Sequence, residues 1–263
     1  RLAEAELLGI APEEADREML RRLGIMEESV RRGMEGSFRV GIRLLAPFAG
    51  RLAAAEEEGR LPFGGRTVRA AAGAAAAMHA AAAMEVCCAA PTGGSAGVLP
   101  GFLHALKAED PDPARRVRVL WAAGGIGAVF ATRATFAAEV AGCQVEIGAA
   151  GAMAAAGAVE WAGGGAEAAC DAAATVLQNV MGSVCDPVQG CVEIPCHSRN
   201  AFLAAGAFTA ADWILGGCPN PIPLDETIDA VLAVGRMLPP ELRCTALGGL
   251  SLCPSALAIR PRR

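Results

Sequence analysis

The stretch "GSVCDPVQGCVEIPCHSRNA" (182–201) gathers Cys185, Cys191 and Cys196 beside one of only three histidines in the chain, His197, followed by Arg199 and Asn200. Thiols at this density point to a metal, to catalysis or to packing. A zinc ribbon or finger takes two ligands from one tight turn, as C-x-x-C or H-x₃₋₅-H, and a bacterial ferredoxin uses C-x₂-C-x₂-C. None of these spacings occurs. A metal site would therefore draw ligands from distant segments, and Cys143 in "AGCQVEIGAAGAMAA" stands before an Ala/Gly-rich helical run. A cluster held by three thiolates leaves one iron open, and an open iron is a Lewis acid toward a substrate hydroxyl and carboxylate. On spacing alone, metal binding and buried structural thiols both stand.

A second candidate is "APTGGSAGVLPG" (90–101). Glycines let backbone N–H groups converge on an anion, and Thr92, Gly94 and Ser95 would line a carboxylate-binding loop. The alternative is an ordinary connection between helices. A Walker phosphate loop needs a lysine that is absent here. Gly93-Gly94-Ser95-Ala96-Gly97 matches the G-x-S-x-G pentad formally, but an alanine-rich helical run precedes it where a hydrolase has a strand. Arg199 is suited to clamp a carboxylate, or with Asn200 to cap a helix. His197 reads as an acid/base group or as a solvated loop residue. His79 and His104 fall within helical patterns and read as structural. Cys253, in "TALGGLSLCPSA", either packs or reaches a site from the tail.

Composition narrows the classes. Of 263 residues 53 % are apolar, which supports a large core, and 19 % are charged, below the usual quarter. The low charge implies that a partner covers part of the surface. With 23 basic and 28 acidic residues the net charge is −5, and no basic stripe interleaves with aromatics, which argues against nucleic acid. Residues 70–90 are nearly uncharged, but they are mostly alanine with His79 and Glu85, so a buried helix is expected, not a membrane span. The opening "RLAEAELLGIAPEEADREML" is charged and amphipathic and has no export-signal pattern, although the chain starts without a methionine. Ten cysteines in that context imply reduced thiols and a cytoplasmic setting. Cys87, Cys88, Cys170 and Cys218, among small residues, are expected to fill the core.

The elements that must hold these residues read as helices. Pro12 suits a first helical position, with Glu13 and Glu14 in the first turn. Ala15, Met19, Leu23, Met26 and Val30 then share one face. Further helical patterns run from about Val40 to Glu58, over Thr67–Cys88, in two or three Ala/Gly-rich segments from Val117 to Ala162, over 166–181 and over 199–215. A last helix starts with Asp225 as N-cap and stops before Pro239-Pro240. Strand patterns are scarce and no repeat or long linker appears. The expected fold is all-α, a single helical domain over 1–263, with Gly/Pro-rich loops forming a buried site.

The segments "APTGGSAGVLPG", "GCQVEIGAAGAMAAA", "VCDPVQGCVEIPCHSRNA", "IPLDETIDAV" and "LPPELRCTALGGL", in this order and with helical filler between, resemble the α chain of the bacterial iron–sulfur-dependent L-serine dehydratases. The resemblance covers about residues 12–255. It implies an all-helical catalytic domain with a [4Fe–4S] cluster on Cys143, Cys185 and Cys196, Cys191 falling outside the ligand set. It implies elimination of water from L-serine, or a close hydroxy amino acid. The open iron takes the hydroxyl and carboxylate, a base removes the α-proton, and the aminoacrylate hydrolyses to pyruvate and ammonia. Thr92, Gly94, Ser95, Arg199 and Asn200 are the expected substrate-binding residues; no base is identified. A β chain is implied as partner. The chain departs from the family pattern at His79, Ala81 and Glu85, at 133–137 and at Cys253–Ala256. A diverged cluster-binding or regulatory subunit without lyase activity is the alternative.

Overall fold

Small apolar runs punctuated by glycine and proline produce twelve α-helices in the computed structural model, which describes residues 1–262. In chain order they are α1 (Leu2–Leu8), α2 (Pro12–Glu35), α3 (Ala49–Glu57), α4 (Arg66–Ala82), α5 (Val98–Lys107) and α6 (Pro113–Arg133). There follow α7 (Ala138–Ala141), α8 (Ile147–Trp161), α9 (Ala166–Val180), α10 (Cys196–Leu215), α11 (Leu224–Met237) and α12 (Pro254–Ala258). Among the described residues there is no strand, and the one extended pairing is a bridge between Cys185 and Arg243. The all-α expectation is met. No helix among the described residues is long and apolar enough to cross a membrane.

Helix α8 is the axis of the molecule. Every residue from Ile147 to Val159 is buried, the state of a helix that is apolar on all faces. Its alanines and glycines bring α5, α6, α9 and α10 close around it. Helix α4, equally rich in alanine, forms a second layer between α10, α5 and α2. Helix α6 starts four residues before the expected Val117: Pro113 takes the first position and the Asp112 carboxylate accepts from the Ala114 N–H at 3.0 Å.

Other boundaries also differ from expectation. Residues 40–48 are not helical. The Glu193 carboxylate accepts the N–H groups of Arg43, Leu44 and Leu45 at 2.7, 2.8 and 2.9 Å, donors a helix would need for itself. Helix α4 ends at Ala82 instead of running to Cys88. Met84 has φ 62°, a left-handed stop, and Glu85 pairs with Arg32 of α2 at 2.7 Å. Asp225 is not an N-cap; it lies in the first turn of α11 behind Pro223. Cys87, Cys88, Cys170 and Cys218 are half-buried at the edge of the core, not inside it.

Candidate metal centre

Helix α10 begins at Cys196, three residues before the expected start, so His197, Arg199 and Asn200 project from its first turns and not from a loop. His197 is correspondingly buried, 1 % exposed. The segment between α9 and α10 is folded back so that Cys185 meets Cys143, the residue that opens the turn before α8. Gln144 performs this tie. Its amide donates to the Ala141 carbonyl at 2.9 Å and its oxygen accepts the Gly182 N–H at 2.9 Å. Gly142, at φ 76°, lets the two segments touch, since a Cβ there would lie 2.6 Å from the Ser183 carbonyl oxygen.

The Cys143 and Cys185 sulfurs and a Glu146 carboxylate oxygen all lie within 4.8 Å of one another. Cys143, Cys185 and Cys196 are all buried. A hydrogen bond from the Cys185 thiol favours the Cys143 thiolate, and the Arg199 guanidinium, 3.6 Å away, adds to it. Cys185 moves the opposite way, because its hydrogen bonds to Cys143 and Cys244 hold its proton. Burial pushes the Cys196 thiol up to about 12, and the charge of Cys143 contributes. Burial also raises Glu146, against the pull of a hydrogen bond from Thr92. Cys143 is thus poised as a thiolate, whereas Cys185 and Cys196 give up their protons readily only to something that replaces them with positive charge, which is how a metal loads a thiol site.

The glycine loop closes on the same spot. The Thr92 hydroxyl donates to Glu146 Oε1 at 2.6 Å. Gly94 packs so tightly on this carboxylate that a Cβ would lie 2.6 Å from Oε1. Ser95 is wholly buried and its hydroxyl is spent on Thr92. Asn200 is equally engaged: its oxygen accepts the Gly97 N–H at 3.0 Å, and its amide donates to the Gly94 and Cys196 carbonyls at 2.9 and 2.8 Å. Asn200 thereby staples the loop to α10. Arg199 donates to the Val184 carbonyl at 2.9 Å and pairs with buried Asp186 at 2.9 Å. It also lines a cleft of about 160 Å³ with Cys143, Ser198 and Phe202.

Cys191 stays half-buried; its thiol faces the Gln189 carbonyl at 3.7 Å and it belongs to no candidate metal group among the described residues. Cys253 is exposed at the start of α12. Two residues of the site escaped the sequence reading. Glu146 carries a visible signal, since it follows the Cys143 turn by three residues, but an acidic residue before a helix is ordinarily a dipole partner. Cys244 sits in a polar stretch, and only the pairing with Cys185 brings it near.

A family model described as "Serine dehydratase alpha chain" matches residues 2–251. A protein of Bacillus subtilis (strain 168) named "Probable L-serine dehydratase, alpha chain" is 41 % identical over 254 residues, covering 96 % of this chain and 84 % of that protein. A protein of the same name from Latilactobacillus sakei is 44 % identical over 173 residues, 65 % of this chain and 83 % of that one. An "L-serine dehydratase, alpha chain" of Peptoniphilus asaccharolyticus is 42 % identical over 173 residues, 65 % of this chain and 59 % of that one.

Proposed function

The chain belongs to the serine dehydratase alpha-chain family, and from that premise we propose that it is an L-serine ammonia-lyase, eliminating water from L-serine to give pyruvate and ammonia. The observation that carries this is the meeting of Cys143, Cys185 and Glu146, from segments about 40 residues apart in sequence, under the Thr92–Ser95 loop.

The donor set suits a [4Fe–4S] cluster. Soft thiolates are the ligands such clusters take; Cys143 and Cys185 meet, with the Arg199 guanidinium beside Cys143, and Cys196, buried at the start of α10 outside that close group, is assigned as the third ligand. When bound, the group supplies a Lewis acid that makes the substrate hydroxyl a better leaving group. The protein does the rest. Arg199, lining the cleft, offers fixed positive charge to the substrate carboxylate. Thr92 and Gly94 form the wall against Glu146, with Ser95 and Asn200 holding that wall in place. Glu146 is the only carboxylate in the thiol group among the described residues, and burial raises its proton affinity; it is assigned the α-proton, accepted on Oε2 while Thr92 occupies Oε1.

Residues 1–263 act as one alpha-type catalytic domain in a reducing compartment such as the cytoplasm, with a β chain as partner. Phe202, at the cleft, is 77 % exposed and is suited to be covered by it.

Purification of the full chain without oxygen, with and without a candidate β chain, tests this through iron, sulfide and pyruvate formed from L-serine. Iron and sulfide should approach one cluster per chain. Cys143→Ser, Cys185→Ser and Cys196→Ser should each lose most of the iron, and Cys191→Ser should keep it. A chain that takes up no iron defeats the proposal. Iron without pyruvate would favour a diverged, inactive subunit, a reading to which buried His79, at a position where this chain departs from the family, gives support.

A further inference from the structure

The thiol centre contains one cysteine more than the ligand set requires. Cys244 lies in the segment after α11, which runs alongside Cys185 in the only extended pairing among the described residues. The Cys185 N–H donates to the Leu242 carbonyl at 2.8 Å, and the Cys244 N–H donates back to the Cys185 carbonyl at 2.8 Å. The two thiols are near enough for each to act on the other's proton. Cys244 holds φ 60°, a left-handed conformation that a non-glycine residue adopts only when its surroundings impose it. Unlike Cys143, Cys185 and Cys196, it is exposed to solvent.

We propose that Cys185 and Cys244 form an oxidisable pair, a disulfide site that takes Cys185 out of service when peroxide reaches the centre. Hydrogen peroxide oxidises the exposed Cys244 thiol to a sulfenic acid, releasing one water. The Cys185 sulfur then attacks the sulfenic sulfur, the S–S bond forms and the hydroxyl leaves as a second water with the Cys185 proton. The sum is two thiols and one peroxide to one disulfide and two waters, so the two electrons lost by the sulfurs reduce the peroxide. A small thiol reductant reverses it. The bridge pairs Cys185 with Arg243, and the Cys244 N–H bond to the Cys185 carbonyl holds Cys244, the next residue, beside Cys185. Cys143 also touches the Cys185 thiol, but it is buried, and peroxide meets Cys244 first. The consequence for iron rests on the reading of Cys185 as a ligand; the disulfide itself does not.

The test uses the full chain, reduced and stripped of metal with a chelator, then given one equivalent of hydrogen peroxide. Free thiols are blocked with an alkylating agent and the peptides mapped by mass spectrometry. A Cys185–Cys244 disulfide as the dominant product, absent after dithiothreitol and absent in Cys244→Ser, is the expected result. The peroxide-treated wild type should then take up several-fold less iron than Cys244→Ser treated in the same way. A dominant Cys143–Cys185 disulfide, or oxidation of Cys244 only to sulfinic or sulfonic acid, would overturn the proposal. If the reduced chain binds no iron at all, the dehydratase reading fails, and the peptide map still decides the pair.

Discussion

Two buried polar groups flank the N-terminus of α10, and they are built on opposite principles. On one side, Cys143, Cys185, Glu146, Asp186 and Arg199 form a centre in which each group meets a partner of complementary charge or a hydrogen-bond donor. On the other, His79 and His197 stack edge to face with ring centroids 4.8 Å apart, and Phe48 closes the far side at 4.5 Å. His79 Nε2 accepts the Phe48 N–H at 3.1 Å. The other His79 nitrogen and both of His197 lack a hydrogen bond of good geometry, although the Met78 backbone is beside His197. Burial drives His197 down to about 4 and His79 to about 3, the latter with a contribution from His197 itself. Equal depth therefore does not imply equal chemistry. A carboxylate or guanidinium at that depth keeps its charge by pairing, whereas an imidazole can shed its proton and pack as an aromatic ring.

Four substitutions test this contrast. The largest effect is expected at Glu146. Glu146→Gln should lower pyruvate formation on the order of 10²–10⁴-fold, the range for removal of a positioned general base, with iron content retained; loss of iron in parallel would make Glu146 a structural member of the site instead. Next comes Arg199→Leu, which strands the Asp186 carboxylate at 3 % side-chain exposure. Breaking one half of a buried pair costs about 3 kcal/mol or more, measurable by urea unfolding. An unchanged midpoint would mean that the Leu250 N–H bond to Asp186, at 2.8 Å, suffices.

The imidazole side should respond to pH. The unfolded chain binds a proton at His79 near pH 6.5, and the folded chain resists it to about 3. The unfolded state therefore holds more protons across that window, so this contribution to stability is complete above pH 6.5 and is lost as the pH falls toward 3. His197 and Glu193 face the same ring and are the groups to watch with it. His79→Gln, which keeps an acceptor for the Phe48 N–H, should flatten the slope of unfolding free energy against pH; an unaltered slope would remove His79 from the account. The smallest effect is expected for His197→Leu, within about 1 kcal/mol of wild type at neutral pH, since replacing a poorly satisfied polar group by an apolar one of similar size is nearly neutral. A loss of several kcal/mol there would reveal a partner for His197 and end the contrast.

Much of this was legible in the residues. The Ala/Gly run at 147–158 announces a helix packed in the middle of the bundle, and Pro12 with Glu13 and Glu14 announces the start of α2. The quoted motifs lead to the family and to Cys143, Cys185 and Cys196 as the thiols to follow. Periodicity failed where a side chain from a distant segment intervened. No pattern within 40–48 reveals that Glu193 will take three of its N–H groups, and none in 83–88 reveals that Arg32 will hold Glu85. Asn200 and Ser95 show the same limit in the site. The family resemblance marks them as substrate-binding residues, yet both are spent on holding the glycine loop in place.

Local sequence accounts for the elements and the chemistry at hand: helices from small apolar residues, turns from glycine and proline, thiols in a chain poor in charge. These depend on neighbours a few residues apart, where propensity and capping act. Tertiary structure alone decided which thiols meet. Cys143 and Cys185 come together because Gln144 bonds Gly182, and Cys244 joins them because residues 242–244 pair with Cys185. Such contacts close long loops, and their stability comes from burial and partners supplied by other segments, so no local window of the chain contains them.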